Sequence, residues 1–117
     1  MAGQTRLSPD EIRKNYDACD SGVTLYMAIC EGYLRTEQDI RLNNIYGQAL
    51  VKARKLGYGK SLVEAQRAWI AYRDAACRYE GEMGAGGGSA EVLYVLGCKV
   101  ELTKQRADRL AGSLKEF

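Results

Sequence analysis

Proline occurs once in this chain, at position 9, so the sequence from Asp10 to Phe117 lacks the residue that most effectively breaks a helix. Ala, Leu, Arg, Glu, Lys and Gln are abundant, and a lone Phe fits poorly with an all-β chain, so an all-α fold is expected. The 117 residues suffice for one domain, taken as 1–117, that removes about two thirds of its unfolded surface from water. No apolar run approaches the ~18 residues of a membrane span. Residues 1–7 read as a disordered N-terminal segment or a remnant of expression.

Ser8, Pro9 and Glu11 form a helix start, with an N-cap hydroxyl, Pro at the first helical position and a carboxylate three residues after the cap. A short helix is expected from about Pro9 to Ala18, broken by Asp20, Ser21 and Gly22. From Thr24 to Lys55 a rough three-four spacing of Leu34, Leu42, Ile45, Ala49 and Lys52 predicts a long helix, with its stop at Gly57-Tyr58-Gly59. Ser61 to Glu64 reads as a second capping box, and Leu62, Ala65, Ala68, Trp69, Tyr72, Ala76 and Tyr79 as the inner face of a helix ending near Glu80. Gly84 to Gly88 then forms a flexible loop. Ser89 is the next N-cap, and Leu93, Leu96, Val100, Thr103, Ala107, Leu110 and Leu114 make the clearest amphipathic stripe. The expected architecture is an antiparallel bundle of three main helices behind a short N-terminal one. A ~30 Å third helix cannot reach the start of a straight ~50 Å second one, which must overhang or bend near Gly32.

Seventeen Lys and Arg against fifteen Asp and Glu give a formal charge of +2, too little to imply a general affinity for nucleic acid or anionic lipid. The absence of His excludes Ser-His and Cys-His nucleophile pairs and histidine general bases. Pairing of Asp74 with Glu80 or Glu82 as glycosidase carboxylates lacks an aromatic sugar platform, so no enzyme activity is expected. The cysteines at 19, 30, 77 and 98 contain no C-x-x-C element, so they are read as disulfides rather than metal ligands, and no metal or cofactor is expected. Of three connectivities, Cys19 with Cys30 and Cys77 with Cys98 is favoured because both bridges then tie adjacent antiparallel elements. Four cysteines in so small a chain indicate an oxidising compartment.

Leu42-Asn43-Asn44-Ile45-Tyr46, Gln66-Arg67-Ala68-Trp69-Ile70-Ala71-Tyr72-Arg73-Asp74-Ala75-Ala76-Cys77, Gly87-Gly88-Ser89, Cys98, and Leu102-Thr103-Lys104-Gln105-Arg106 stand in a specific order and spacing. Over about residues 16 to 112 they resemble the LprI-type lysozyme inhibitor family. The resemblance implies a secreted or periplasmic bacterial helical protein that binds and blocks host lysozyme, with a role in virulence at the bacterial envelope. It transfers no inhibitory residues. The other reading is a periplasmic immunity or envelope module that binds another protein.

Within these motifs Asn43, Tyr46, Gln66, Trp69, Tyr72, Arg73, Asp74, Ser89, Thr103 and Arg106 are read as structural, with Trp69 in the core and the polar ones as hydrogen-bond partners joining helices. Arg73 and Asp74, adjacent on one helix, are expected to find partners elsewhere rather than each other. Residues 15 to 34 and 79 to 98 each contain acids but no base, whereas 52 to 67 hold Lys52, Arg54, Lys55, Lys60 and Arg67 against Glu64. Antiparallel helices place both acidic stretches at one end. A partner-binding surface is therefore expected at Glu80, Glu82, Gly86, Gly87, Gly88 and Glu91, on a monomer that meets a protein partner such as lysozyme, and no nucleic acid.

Overall fold

The computed structural model describes residue 22 and residues 24–117, all-helical with no strand among them. The short helix expected at 9–18 and the residue Cys19 lie outside the described residues. Three helices follow: α1 (Thr24–Lys55), α2 (Gly59–Ala85) and α3 (Glu91–Glu116). They run up, down and up, so α3 lies parallel to α1 and antiparallel to α2, with α1 and α2 touching each other least. The bundle measures 49 × 32 × 27 Å.

The first turn forms where glycine allows it. Gly57 has φ 87°, its N–H donates to the Arg54 carbonyl at 3.1 Å, and Tyr58 N–H donates to Ala53 at 2.7 Å. Helix α2 begins at Gly59, two residues before the expected capping box, and no side chain caps it. Its far end also departs from expectation. It continues past Glu80 to Ala85, so Gly84 and Ala85 are helical, and left-handed Gly86 closes the helix with its N–H on the Glu82 carbonyl at 2.8 Å. The cap before α3 is Ala90 rather than Ser89. The longer α2 removes most of the expected length mismatch, and α1 passes through Gly32 without a break.

The inner faces of α1 and α3 follow the apolar pattern: Leu42 and Ala49, with Ala107 and Leu110, are buried, and Ile45, Tyr46, Leu62 and Trp69 pack against the Leu42–Ala107–Leu110 cluster. Helix α2 is different. Ala65, Ala68, Tyr72 and Tyr79, expected inside, are exposed, and the buried residues are Gln66, Arg73, Cys77 and Gly81. The helix is rotated relative to its apolar count because its neighbours supply polar partners.

Arg73 is 8% exposed and is surrounded on three sides. It donates to Thr103 Oγ1 (3.4 Å) on α3, faces Asp39 Oδ1 (3.8 Å) on α1, and lies over the Trp69 ring at 5.1 Å. Contrary to expectation it also donates from Nε to Asp74 Oδ1 at 3.0 Å, because the long guanidinium arm reaches round a helix where the Cβ directions alone would not meet. Asp74 in turn lies 3.8 Å from Lys99 Nζ. One turn away Arg106 donates to Gln66 Oε1 at 2.9 Å and its guanidinium lies 6.0 Å from the Trp69 centroid, so the indole is flanked by two cations. Burial, then the Arg109 charge, lower the Arg106 pKa from its ordinary value. Of the other motif residues, Asn43 and Ser89 are exposed and Tyr46 is half-buried.

Helix α1 is fixed to α3 by an Arg41–Asp108 ion pair and by Lys52, which donates to the Leu114 carbonyl (3.3 Å) at the end of α3. Because Trp69 is packed against the core yet half-exposed, Trp69→Ala is expected to cost about 3 kcal/mol, the lower end for a large aromatic. Urea unfolding followed by circular dichroism measures it.

Candidate functional site

The C-terminal half of α2 and the N-terminal half of α3 are joined by three successive close contacts. Cys77 and Cys98 form a disulfide with Cα atoms 5.4 Å apart, as expected from the local pairing. One turn on, Gly81 faces α3 so closely that a Cβ there would lie 2.6 Å from Val95 Cγ2 and 3.1 Å from Glu91 Cγ. Next, Gly84 lies beneath the Tyr94 ring, where a Cβ would meet ring carbons at 2.6–2.7 Å. These glycines are small for packing rather than flexible for a loop. The connection itself is Gly86 to Ala90, tightened by Gly88 N–H on Ala85 (2.9 Å) and Glu91 N–H on Gly88 (3.0 Å). The expected open Gly84–Gly88 loop is thus a hydrogen-bonded turn displaced by two residues along the chain.

The close approach leaves an open groove of about 740 Å³ along the outer side of α2 and α3. Tyr79 (61% exposed), Met83 (70%) and Tyr94 (50%) line it. Glu80 and Glu101 supply its charge, and no Lys or Arg is among the described residues that line it. Glu82 is exposed on the same end of α2, whereas Glu91 is half-buried over Gly81. Of the expected binding residues, the structure therefore brings Glu80 into the groove and leaves Glu82 and Gly86 to Gly88 on the adjoining exposed end. Tyr79, Met83, Tyr94 and Glu101 were missed as binding candidates. The spacing puts Tyr79 on one face with Tyr72, seven residues earlier and away from Gln66, Arg73 and Cys77, but which way that face points depends on the polar partners of α2.

The polar atoms of Cys77, Glu80 and Cys98 lie within 4.8 Å of one another, but the two sulfurs are bonded together and offer no thiolate to a metal. Asp74, the other half of the glycosidase pair weighed above, is engaged by Arg73 and Lys99. Cys30 is buried on α1; its expected partner Cys19 falls outside the described residues, so that pairing stands as a proposal.

The described residues thus form an all-helical, disulfide-bridged bundle with an acidic, aromatic groove along one end. The sequence model of the lysozyme inhibitor LprI family matches residues 17–110, and the chain belongs to that family. It is also 45% identical over 60 residues to the uncharacterized protein R02472 of Rhizobium meliloti (strain 1021). That stretch is 51% of this chain and 42% of the relative, so the chain covers less than half of that protein's length. No solved structure matches the chain. No described helix is long and apolar enough to cross a membrane.

Two measurements test this geometry. Gly81→Ala is expected to destabilise the protein by about 1–3 kcal/mol, since the new methyl group must displace Val95. Gly47→Ala, at an exposed position of α1 with no atom near the new Cβ, is expected to stabilise it by about 0.5–1 kcal/mol. Thermal melts of the pair separate close packing from helix propensity.

Glu31, on α1 next to Cys30, has its pKa raised from the ordinary 4.5 because partial burial penalises the carboxylate. The folded state therefore holds this proton more tightly than the unfolded state. The group's contribution to stability is fully present below the unfolded pKa and is lost as pH rises through the folded one. Glu31→Gln is expected to raise the melting temperature at neutral pH, with the gain shrinking as pH falls through the raised folded pKa and gone below the ordinary 4.5.

Proposed function

We propose that this chain is a secreted or periplasmic bacterial protein that binds and blocks a lysozyme through the groove beside the Cys77–Cys98 bridge. The observation that carries this reading is the combination of exposed Tyr79, Met83 and Tyr94 with Glu80 and Glu101 in a groove whose described lining carries no positive charge. Aromatic and Met side chains supply contact area at protein interfaces, and carboxylates at the rim attract a basic partner. Membership of the lysozyme inhibitor LprI family supports a basic lysozyme as that partner. The protein then acts as an inhibitor and not as an enzyme. The groove is set on two helices locked by a disulfide and two glycine contacts, so little ordering entropy is lost on binding. The Gly86 to Gly88 turn lies beside the groove and lengthens the surface presented to the partner.

Clearing of a bacterial cell-wall suspension by lysozyme, with this protein titrated in, tests inhibition. Tyr79→Ala with Met83→Ala is expected to weaken binding about tenfold or more, mainly by faster dissociation. Glu80→Lys with Glu82→Lys is expected to slow association and flatten its salt dependence, because rim charges act on the on-rate within a Debye length of ~8 Å. Inhibition unchanged by all four substitutions would move the binding face elsewhere.

A further inference from the structure

The opposite end of the bundle carries a second built surface. Between the C-terminal turns of α1 and α3 and the start of α2 runs an open apolar groove of about 510 Å³, lined by Leu56, Tyr58, Leu62, Leu114 and Phe117 among others. Leu56 is 57% exposed and Tyr58 64%, at the tip of the α1–α2 turn. Across that turn lies a second depression whose lining includes Arg54, Lys60 and Arg67 with a single acid, Glu64. Lys52 edges the apolar groove, and Lys55 and Lys115 stand exposed in the last turns of α1 and α3.

We propose that this end docks on the surface of a membrane containing anionic phospholipid. The formal charge of +2 conceals a basic tip, where Lys52, Arg54, Lys55, Lys60 and Lys115 gather against Glu64 and Glu116. The tip combines what an interfacial site needs: apolar side chains that project beyond the backbone and cations that ring them within reach of phosphates. Lys and Arg stems can lie along the apolar surface while their charged heads meet the headgroups. A protruding turn with bases on both sides matches a flat anionic surface, into which the apolar residues insert while the flanking cations meet headgroups. Docked in this way, with the long axis of 49 Å standing away from the bilayer, the molecule presents the Tyr79–Tyr94 groove to the solvent. The inference does not depend on which partner that groove takes.

Co-sedimentation of the full chain with phosphatidylglycerol–phosphatidylcholine vesicles, against phosphatidylcholine alone, tests the proposal. Binding is expected only to the anionic vesicles and is expected to fall about tenfold or more from low to physiological salt. Leu56→Ser with Tyr58→Ser removes the apolar tip, and Lys55→Glu with Lys60→Glu reverses two exposed charges; either pair is expected to abolish sedimentation while the circular dichroism melt stays intact. Glu80→Gln with Glu82→Gln is expected to leave it unchanged. Absence of binding, equal binding to neutral vesicles, or competition by inorganic phosphate would overturn membrane docking. So would self-association without lipid binding, if sedimentation velocity showed it and Leu56→Ser with Tyr58→Ser removed it.

Discussion

The guanidinium of Arg73 is the group around which the three helices are arranged. A charge this deeply buried is tolerable only when its hydrogen-bonding capacity is used and its field is answered. Here α1 contributes Asp39, α3 contributes Thr103, and α2 itself contributes Asp74 and the face of Trp69. Only one rotation of α2 satisfies all of them. The apolar contacts around Leu42, Ala107 and Leu110 supply non-directional adhesion, whereas the Arg73 and Arg106 contacts set the angular register.

That register determines what faces outward. With Gln66, Trp69, Arg73, Cys77 and Gly81 turned inward, Tyr72 and Tyr79 are carried to the surface. The same rotation aligns Cys77 with Cys98, Gly81 with Val95 and Gly84 with Tyr94, each about one turn further along α2. The polar interior thus positions the groove indirectly. It fixes the helix, and the helix places Tyr79, Glu80 and Met83 beside Tyr94 and Glu101.

The sequence made legible those elements whose periodicity is carried by apolar residues. The stripe from Leu93 to Leu114 and the faces of Leu42 and Ala49 are where spacing places them, as is the stop at Gly57. Helix α2 was misread because a hydrophobic count treats Tyr and Ala as inner and Arg and Gln as outer. Two buried polar residues with partners on two other helices reverse that assignment, and those partners are distant in sequence. The end of α2 was misread for a related reason. A run of glycines reads as a loop, yet Gly84 is helical because the Tyr94 ring needs the space. The acidic character of this end was legible from the distribution of charges along antiparallel helices; the aromatic groove beside it was not, because it depends on the rotation.

The charges of α2 show why the two ends deserve separate functional readings. In α1 and at the start of α3 the terminal charges agree with the helix dipoles, since Lys52, Arg54 and Lys55 close α1 and Glu91 opens α3, while the last turn of α3 holds Lys115 beside Glu116. Helix α2 runs the other way and has no acid in its first turn and no base in its last. Instead Lys60 stands near its positive end and Glu82 near its negative end, each opposed by the local field. Local helix stability would favour the reverse. What the arrangement gains is collective: α2 adds Lys60 and Arg67 to the tip formed by the ends of α1 and α3, and Glu80 and Glu82 to the groove end. A departure from local electrostatic preference in the direction that sharpens two opposite surfaces is the pattern expected when those surfaces, rather than the helix, are what the charges serve.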